Sequence, residues 1–116
     1  MKQRFEITYK TDSMNTNWRR GKNVTYLSKK GREFRDNVQQ FIKLQKYKTF
    51  KNKVSVKIEL CFKSKRERDI DNYFKTILDS FNGFLYEDDK LIYKLSSSKK
   101  LGCDRDYFII EIEELN

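Results

Sequence analysis

The chain contains no histidine. That removes a Ser/His/Asp triad, an imidazole general base and any His-ligated zinc site. It has two cysteines, Cys61 and Cys103, too few to hold a zinc ion alone. Cys61 falls in an alternating apolar run and Cys103 in a glycine-containing loop. Free thiols are expected rather than a disulfide, because no export signal is recognisable. No apolar stretch approaches membrane-spanning length, and the opening Met1-Lys2-Gln3-Arg4-Phe5-Glu6 has no apolar core for export. A reducing cytoplasm without membrane attachment is the expected setting.

What remains is a short, basic, aromatic-rich sequence. Its 116 residues suit one domain over 1–116, with one modest core. An aromatic content of 15% is too high for a disordered chain despite 37% charged residues. Lys and Arg number 26 against 17 acids, a net charge of +9 that favours a polyanionic partner, nucleic acid or an anionic membrane. The charge is polarised along the chain. Residues 1–68 hold 20 basic and 6 acidic side chains, residues 69–116 hold 6 and 11, and the sign changes at Arg68-Asp69. This reads either as a linear accident that folding scrambles or as a basic binding surface leading into an acidic pocket.

The hydrophobic pattern predicts the order β-α-β-α-β-β. Phe5, Ile7 and Tyr9 alternate as a first strand. Residues 11–23 read as a long basic loop, with Val24 to Leu27 a short extended piece. Ser28 is placed to cap a helix running to about Tyr47, its buried face formed by Phe34, Val38, Phe41 and Ile42. Val54, Val56, Ile58, Leu60 and Phe62 alternate strictly with polar residues and Cys61, the clearest strand in the chain. A second helix spans about Ile70 to Asn82, with Ile70, Phe74, Ile77, Leu78 and Phe81 as its apolar stripe and Asn82-Gly83 as its stop. Glu87-Asp88-Asp89 reads as a turn. Leu91, Tyr93 and Leu95, then Phe108, Ile110 and Ile112, mark two last strands. Ser96-Ser97-Ser98-Lys99-Lys100 between them reads as a loop or frayed strand end. The fold class is α+β, two helices covering a mixed or antiparallel sheet.

Carboxylates then stand out. Asp69 and Asp71 flank Ile70 at a helix start, where acids complement the macrodipole and Asp is a good N-cap. Asp71, Lys75 and Asp79 share one helical face, which by itself is a solvated salt-bridge ladder. The topology permits the Asp88-Asp89 pair to return beside the acids of the helix. Crowded carboxylates are costly unless protonated or bridged, and a hard divalent cation, Mg²⁺ or Mn²⁺, is the natural bridge. An EF-hand reading of Asp69-Ile70-Asp71 fails, since no glycine follows where that loop must turn.

The stretch Arg68-Asp69-Ile70-Asp71-Asn72-Tyr73-Phe74-Lys75-Thr76-Ile77-Leu78-Asp79, with Glu87-Asp88-Asp89 after it, resembles the RusA family of Holliday junction resolvases. The family pattern is Arg-Asp-x-Asp-Asn-x-x-Lys-x-x-x-Asp followed by an Asp-Asp pair before a strand, and each fixed position is filled here at matching spacing. Weaker likeness extends to Ser13 and Asn15, the basic loop, and Gly31 to Val38. One departure is the lack of proline: Lys10-Thr11-Asp12 stands where relatives carry prolines. The resemblance implies a homodimeric, Mg²⁺-dependent endonuclease, with Mn²⁺ able to substitute, that nicks four-way DNA junctions symmetrically in recombination and repair. It implies Asp69, Asp71 and Asp89 as metal-binding catalytic carboxylates and Lys75 as the catalytic lysine, with Asp79 and Asp88 in supporting positions around them. The product implied carries a 5′ phosphate.

Arg19, Arg20, Lys22, Lys63, Lys65, Arg66 and Arg68 are the candidate DNA-backbone contacts. Trp18 is placed either to wedge into a junction or to anchor its loop. The competing readings are a nucleic-acid-binding module without cleavage and a Mg²⁺-dependent nuclease for other branched DNA or RNA. The Lys-, Asn- and Tyr-rich, proline-free usage fits an AT-rich bacterial or phage genome.

Overall fold

The alternating run from Val54 becomes the strand around which the rest is arranged. The computed structural model describes residues 1–8, 18–21, 24–27, 29–67 and 69–115, and the side chains of all but 18–21, 24–27, 29–31, 71 and 72 among them. In chain order the elements are β1 (Lys2–Ile7), β2 (Trp18–Gly21), β3 (Val24–Leu27), α1 (Lys29–Lys43), β4 (Val54–Phe62), α2 (Asp71–Phe81), a 3-10 turn (Asp89–Leu91), β5 (Ile92–Leu101) and β6 (Tyr107–Glu114). The main sheet has the order β1-β6-β4-β5, and β2 and β3 form a separate antiparallel ribbon. β4 runs antiparallel to β6 and parallel to β5. A parallel pair cannot be joined by a hairpin, and α2 supplies the crossover. The domain is therefore α+β with a mixed sheet covered by two helices.

One face of that sheet carries the core. Val54, Val56, Ile58, Leu60 and Phe62 of β4 are buried together with Phe5 and Ile7 of β1 and Phe108, Ile110 and Ile112 of β6. Phe34, Val38 and Ile42 of α1 and Ile77 and Phe81 of α2 close over them. Each such side chain contributes about 1.5–3 kcal/mol by leaving water. Phe41, expected on the buried face of α1, is 39% exposed. At 3.6 residues per turn Phe34, Val38 and Ile42 span an arc of about 80°, and Phe41 falls about 20° beyond its edge.

Other boundaries differ from the sequence reading for identifiable reasons. α1 ends at Lys43 rather than near Tyr47. Beyond it the chain is drawn into other partners: the Gln3 side-chain amide exchanges two 2.8 Å hydrogen bonds with the Lys48 backbone. Phe50 donates to the Leu85 carbonyl and accepts from the Glu87 N–H, and Tyr47 stacks on Phe84 at 4.9 Å. Residues 18–21, read as loop, form a strand. The serine and lysine tract 96–100 is not a loop but the body of β5, paired to β4 from Ser55↔Lys94 to Phe62↔Leu101. An edge strand with one pairing partner keeps polar side chains in water, so its sequence lacks an apolar alternation. The proposed cap Ser28 lies outside the described residues. Ile70 occupies the N-cap position of α2 and no side chain caps it, so the expected Asp cap is absent. The two cysteines are free. No described helix is long and apolar enough to cross a membrane.

Candidate active site

α2 divides its residues between two faces. Ile77 and Phe81 lock one face into the core, while Phe74 and Leu78 pack at its margin. Positions 71, 75 and 79 fall on the other face, one turn apart. Lys75 is exposed there. The Gln39 amide donates a 2.7 Å hydrogen bond to the Ser80 carbonyl and fixes α2 against α1. After α2 the chain reverses at Gly83, whose φ of +75° suits a residue without Cβ. Leu85 and Tyr86 then turn inward and are fully buried. The Tyr86 hydroxyl donates to the Leu78 carbonyl, so the segment leading to Asp88 and Asp89 is tied back onto α2. The Asp88 carboxylate caps the following turn by accepting the Lys90 N–H at 3.0 Å, and that bond holds its carboxyl below the usual range.

The electrostatics identify which charges act on one another. Burial pushes the Asp79 carboxyl up; the Lys75 charge pulls it back and the Asp89 charge raises it further. The Tyr86 phenol is also held up, first by burial and then by the charges of Asp79 and Asp89. Lys75, Asp79 and Asp89 thus share one locality, above the buried Tyr86. A carboxyl with a raised folded value binds its proton more tightly folded than unfolded. Its contribution to stability is full at acid pH, below the unfolded carboxylate range, and is lost as pH rises through the raised value. Asp79→Asn is therefore expected to raise the unfolding midpoint at neutral pH, with the gap closing as pH falls below the ordinary carboxylate range, as read by thermal melts across pH.

Asp69 stands exposed ahead of α2, and Asp71 opens the helix. With 1.5 Å of rise per residue, Asp71 and Asp79 are about 12 Å apart along the axis. Asp79 lies within electrostatic range of both Lys75 and Asp89, while Asp69 precedes α2 at its other end. Among the described residues no group of three or more His, Cys, Asp or Glu side chains is placed to hold a metal ion. The Asp71 side chain lies outside that description. The donor chemistry nonetheless suits a hard cation, because the Asp79–Asp89 repulsion is what a divalent ion with oxygen ligands relieves.

On the basic side, Lys63, Lys65 and Arg66 are exposed on the connection from β4 to α2. Arg19 and Arg20 lie on β2 with Trp18, while Lys22 and Arg68 fall outside the described residues. Sequence reasoning passed over Gln39, Leu85 and Tyr86. The signal available was the apolar run Phe84-Leu85-Tyr86 immediately after Gly83.

The acidic string and the crossover that carries it fall inside a recognised pattern. The family model described as endodeoxyribonuclease RusA matches residues 9–113. The chain is 38% identical over 81 residues to the crossover junction endodeoxyribonuclease rusA of Enterobacteria phage HK97, an alignment covering 67% of this chain and 68% of that protein. With Asp69 to Asp79 and Asp88-Asp89 all within the matched span, the chain belongs to the RusA family and is an endodeoxyribonuclease.

Proposed function

We propose that this chain, as one domain over 1–116, resolves four-way DNA junctions by paired symmetric nicks, as a homodimer that uses Mg²⁺ or Mn²⁺. The observation that carries the reading is the placement of Lys75, Asp79 and Asp89 in one locality, on the crossover whose first turn holds Asp71. Asp69, Asp71 and Asp89 are the proposed metal-holding acids, their cluster completed across the dimer because Asp69 and Asp89 of one chain lie toward opposite ends of α2. Asp79 supports them through its charge, and Asp88 does so by fixing the turn before Asp89. A bound divalent cation supplies Lewis acidity at the phosphate and lowers the pKa of bound water. Lys75 places positive charge where the transition state gathers negative charge on the phosphoryl oxygens. A carboxylate takes the proton from water, since the chain has no imidazole. Twofold symmetry of a dimer matches two opposed strands of a junction.

The test is incubation with labelled four-way junctions, duplex and single strands, with and without Mg²⁺. Paired symmetric nicks confined to junctions are expected. Binding without nicks, or equal cleavage of flaps or RNA, would overturn the reading. Sedimentation should give the mass of two chains. Lys65, Arg66 and Arg68 are the proposed phosphate contacts beside the acids. Replacing all three with Ala is expected to flatten the slope of log affinity against log salt by about 2.7; an unchanged slope places the DNA elsewhere.

A further inference from the structure

The segment from Lys63 to Glu67 does not hang free between β4 and α2. The Lys63 N–H donates to Asp106 Oδ1 at 2.9 Å. The Cys103 N–H donates to the Phe62 carbonyl at 2.9 Å and the Gly102 N–H to the Ser64 carbonyl at 3.4 Å. Gly102 holds φ at +72°, and a Cβ there would lie 3.4 Å from Lys65 Cε and 3.5 Å from Lys65 Cγ. The aliphatic stem of Lys65 therefore lies across a turn that only glycine forms without strain. At the far end, Lys99 Nζ reaches from β5 to Glu67 Oε2 at 2.9 Å.

Glu67 is the one acid in the run Lys63-Ser64-Lys65-Arg66-Glu67-Arg68. An exposed ion pair of this kind adds little stability. What these contacts do is fix geometry: one end of the basic segment is fastened to the turn at 102–106 and the other to Lys99 on β5, and that segment leads directly into Asp69 and α2.

We infer that Asp106 and the Lys99–Glu67 pair are positioning residues for the nuclease. They hold the basic segment so that its cations grip the DNA backbone in register with the acids at the start of α2. This rests on the reading of the chain as a junction nuclease. Misplacing reacting groups by about 1 Å costs up to about a hundredfold in rate, so the loss of one tether is expected to cost about tenfold.

The experiment compares the full chain with Asp106→Ala and Asp106→Asn, since an Asn amide oxygen still accepts the Lys63 N–H. One readout is the rate of trypsin cleavage after Lys63, Lys65 and Arg66, mapped by mass spectrometry. The other is kcat and KM on a four-way junction at saturating Mg²⁺, with melting curves to confirm folding. Asp106→Ala is expected to be clipped at these bonds at least about fivefold faster and to lose about tenfold in kcat. Asp106→Asn should restore both. In a double-mutant cycle, Lys99→Met combined with Glu67→Gln should lose no more kcat than either alone. The inference is overturned if Asp106→Ala keeps wild-type clipping or wild-type kcat, if Asp106→Asn fails to restore them, or if the two pair substitutions add. A wild-type chain that cuts no junction overturns the function instead, while the clipping comparison still decides whether the tether exists.

Discussion

Asp71→Asn and Asp89→Asn are each expected to lower junction cleavage by at least about a thousandfold while junction binding survives. The magnitude follows from the work assigned to a carboxylate that holds a divalent ion at the scissile phosphate. Several kcal/mol of transition-state stabilisation leave with the ion, and about 4 kcal/mol is a factor of a thousand. Binding survives because it comes from Lys and Arg on the phosphate backbone, and removing an acid also removes repulsion. Asp89→Asn has a second signature, because its charge contributes to the raised carboxyl of Asp79. In that variant Asp79 is expected to titrate lower than in the wild type, which carboxyl NMR reads without any DNA. The adjacent Asp88 is the control. Its carboxylate is engaged with the Lys90 N–H, and Asn serves almost equally well as a cap. Asp88→Asn should keep most of its activity. Cleavage that falls as far for Asp88→Asn as for Asp89→Asn would mean the turn, not the metal ligand, is what these substitutions damage. Equal loss of junction binding in Asp71→Asn would make Asp71 structural.

Much of this geometry was legible in the sequence because burial leaves a periodic trace. β4 is covered on one face and reads as strict alternation. α2 is covered along one stripe, and Ile77 and Phe81 mark it. The same rule explains what was not legible. β5 is an edge strand, so Ser96 to Lys100 carry no apolar period, and only the pairing with β4 reveals them as strand. Phe50, Leu85 and Tyr86 are buried by isolated bridges and single hydrogen bonds between distant segments, which have no period at all. The acids divide in the same way. Their identity and spacing are plain in the chain. Spacing alone conceals the rise of the helix, which carries Asp79 into the electrostatic range of Asp89 and leaves Asp69 about two turns and more away from Asp79.

Tyr86 is where the unread part of the fold meets the proposed site, and Tyr86→Ala carries the largest expected cost in stability. Its side chain is fully buried, and its hydroxyl ties the return segment to the Leu78 carbonyl on α2. Deleting a buried aromatic ring costs about 3–5 kcal/mol in lost transfer energy and cavity. In a domain of this size each kcal/mol shifts the midpoint by several degrees, so a fall of roughly 10–20 °C is expected in a thermal melt. Tyr86→Phe keeps the ring and removes one hydrogen bond, which is worth about 1–2 kcal/mol where an acceptor is left unpaired. Activity separates anchoring from mere bulk. Tyr86 sits two residues before Asp88 and three before Asp89, so the ring sets how that turn approaches α2. At a temperature where both variants remain folded, Tyr86→Phe should cleave near the wild-type rate and Tyr86→Ala should lose about tenfold or more, since the Asp89 turn is no longer seated. A Tyr86→Ala chain that melts early but cleaves at full rate while folded would show that the position of Asp89 is set by Asp88 and its Lys90 bond alone.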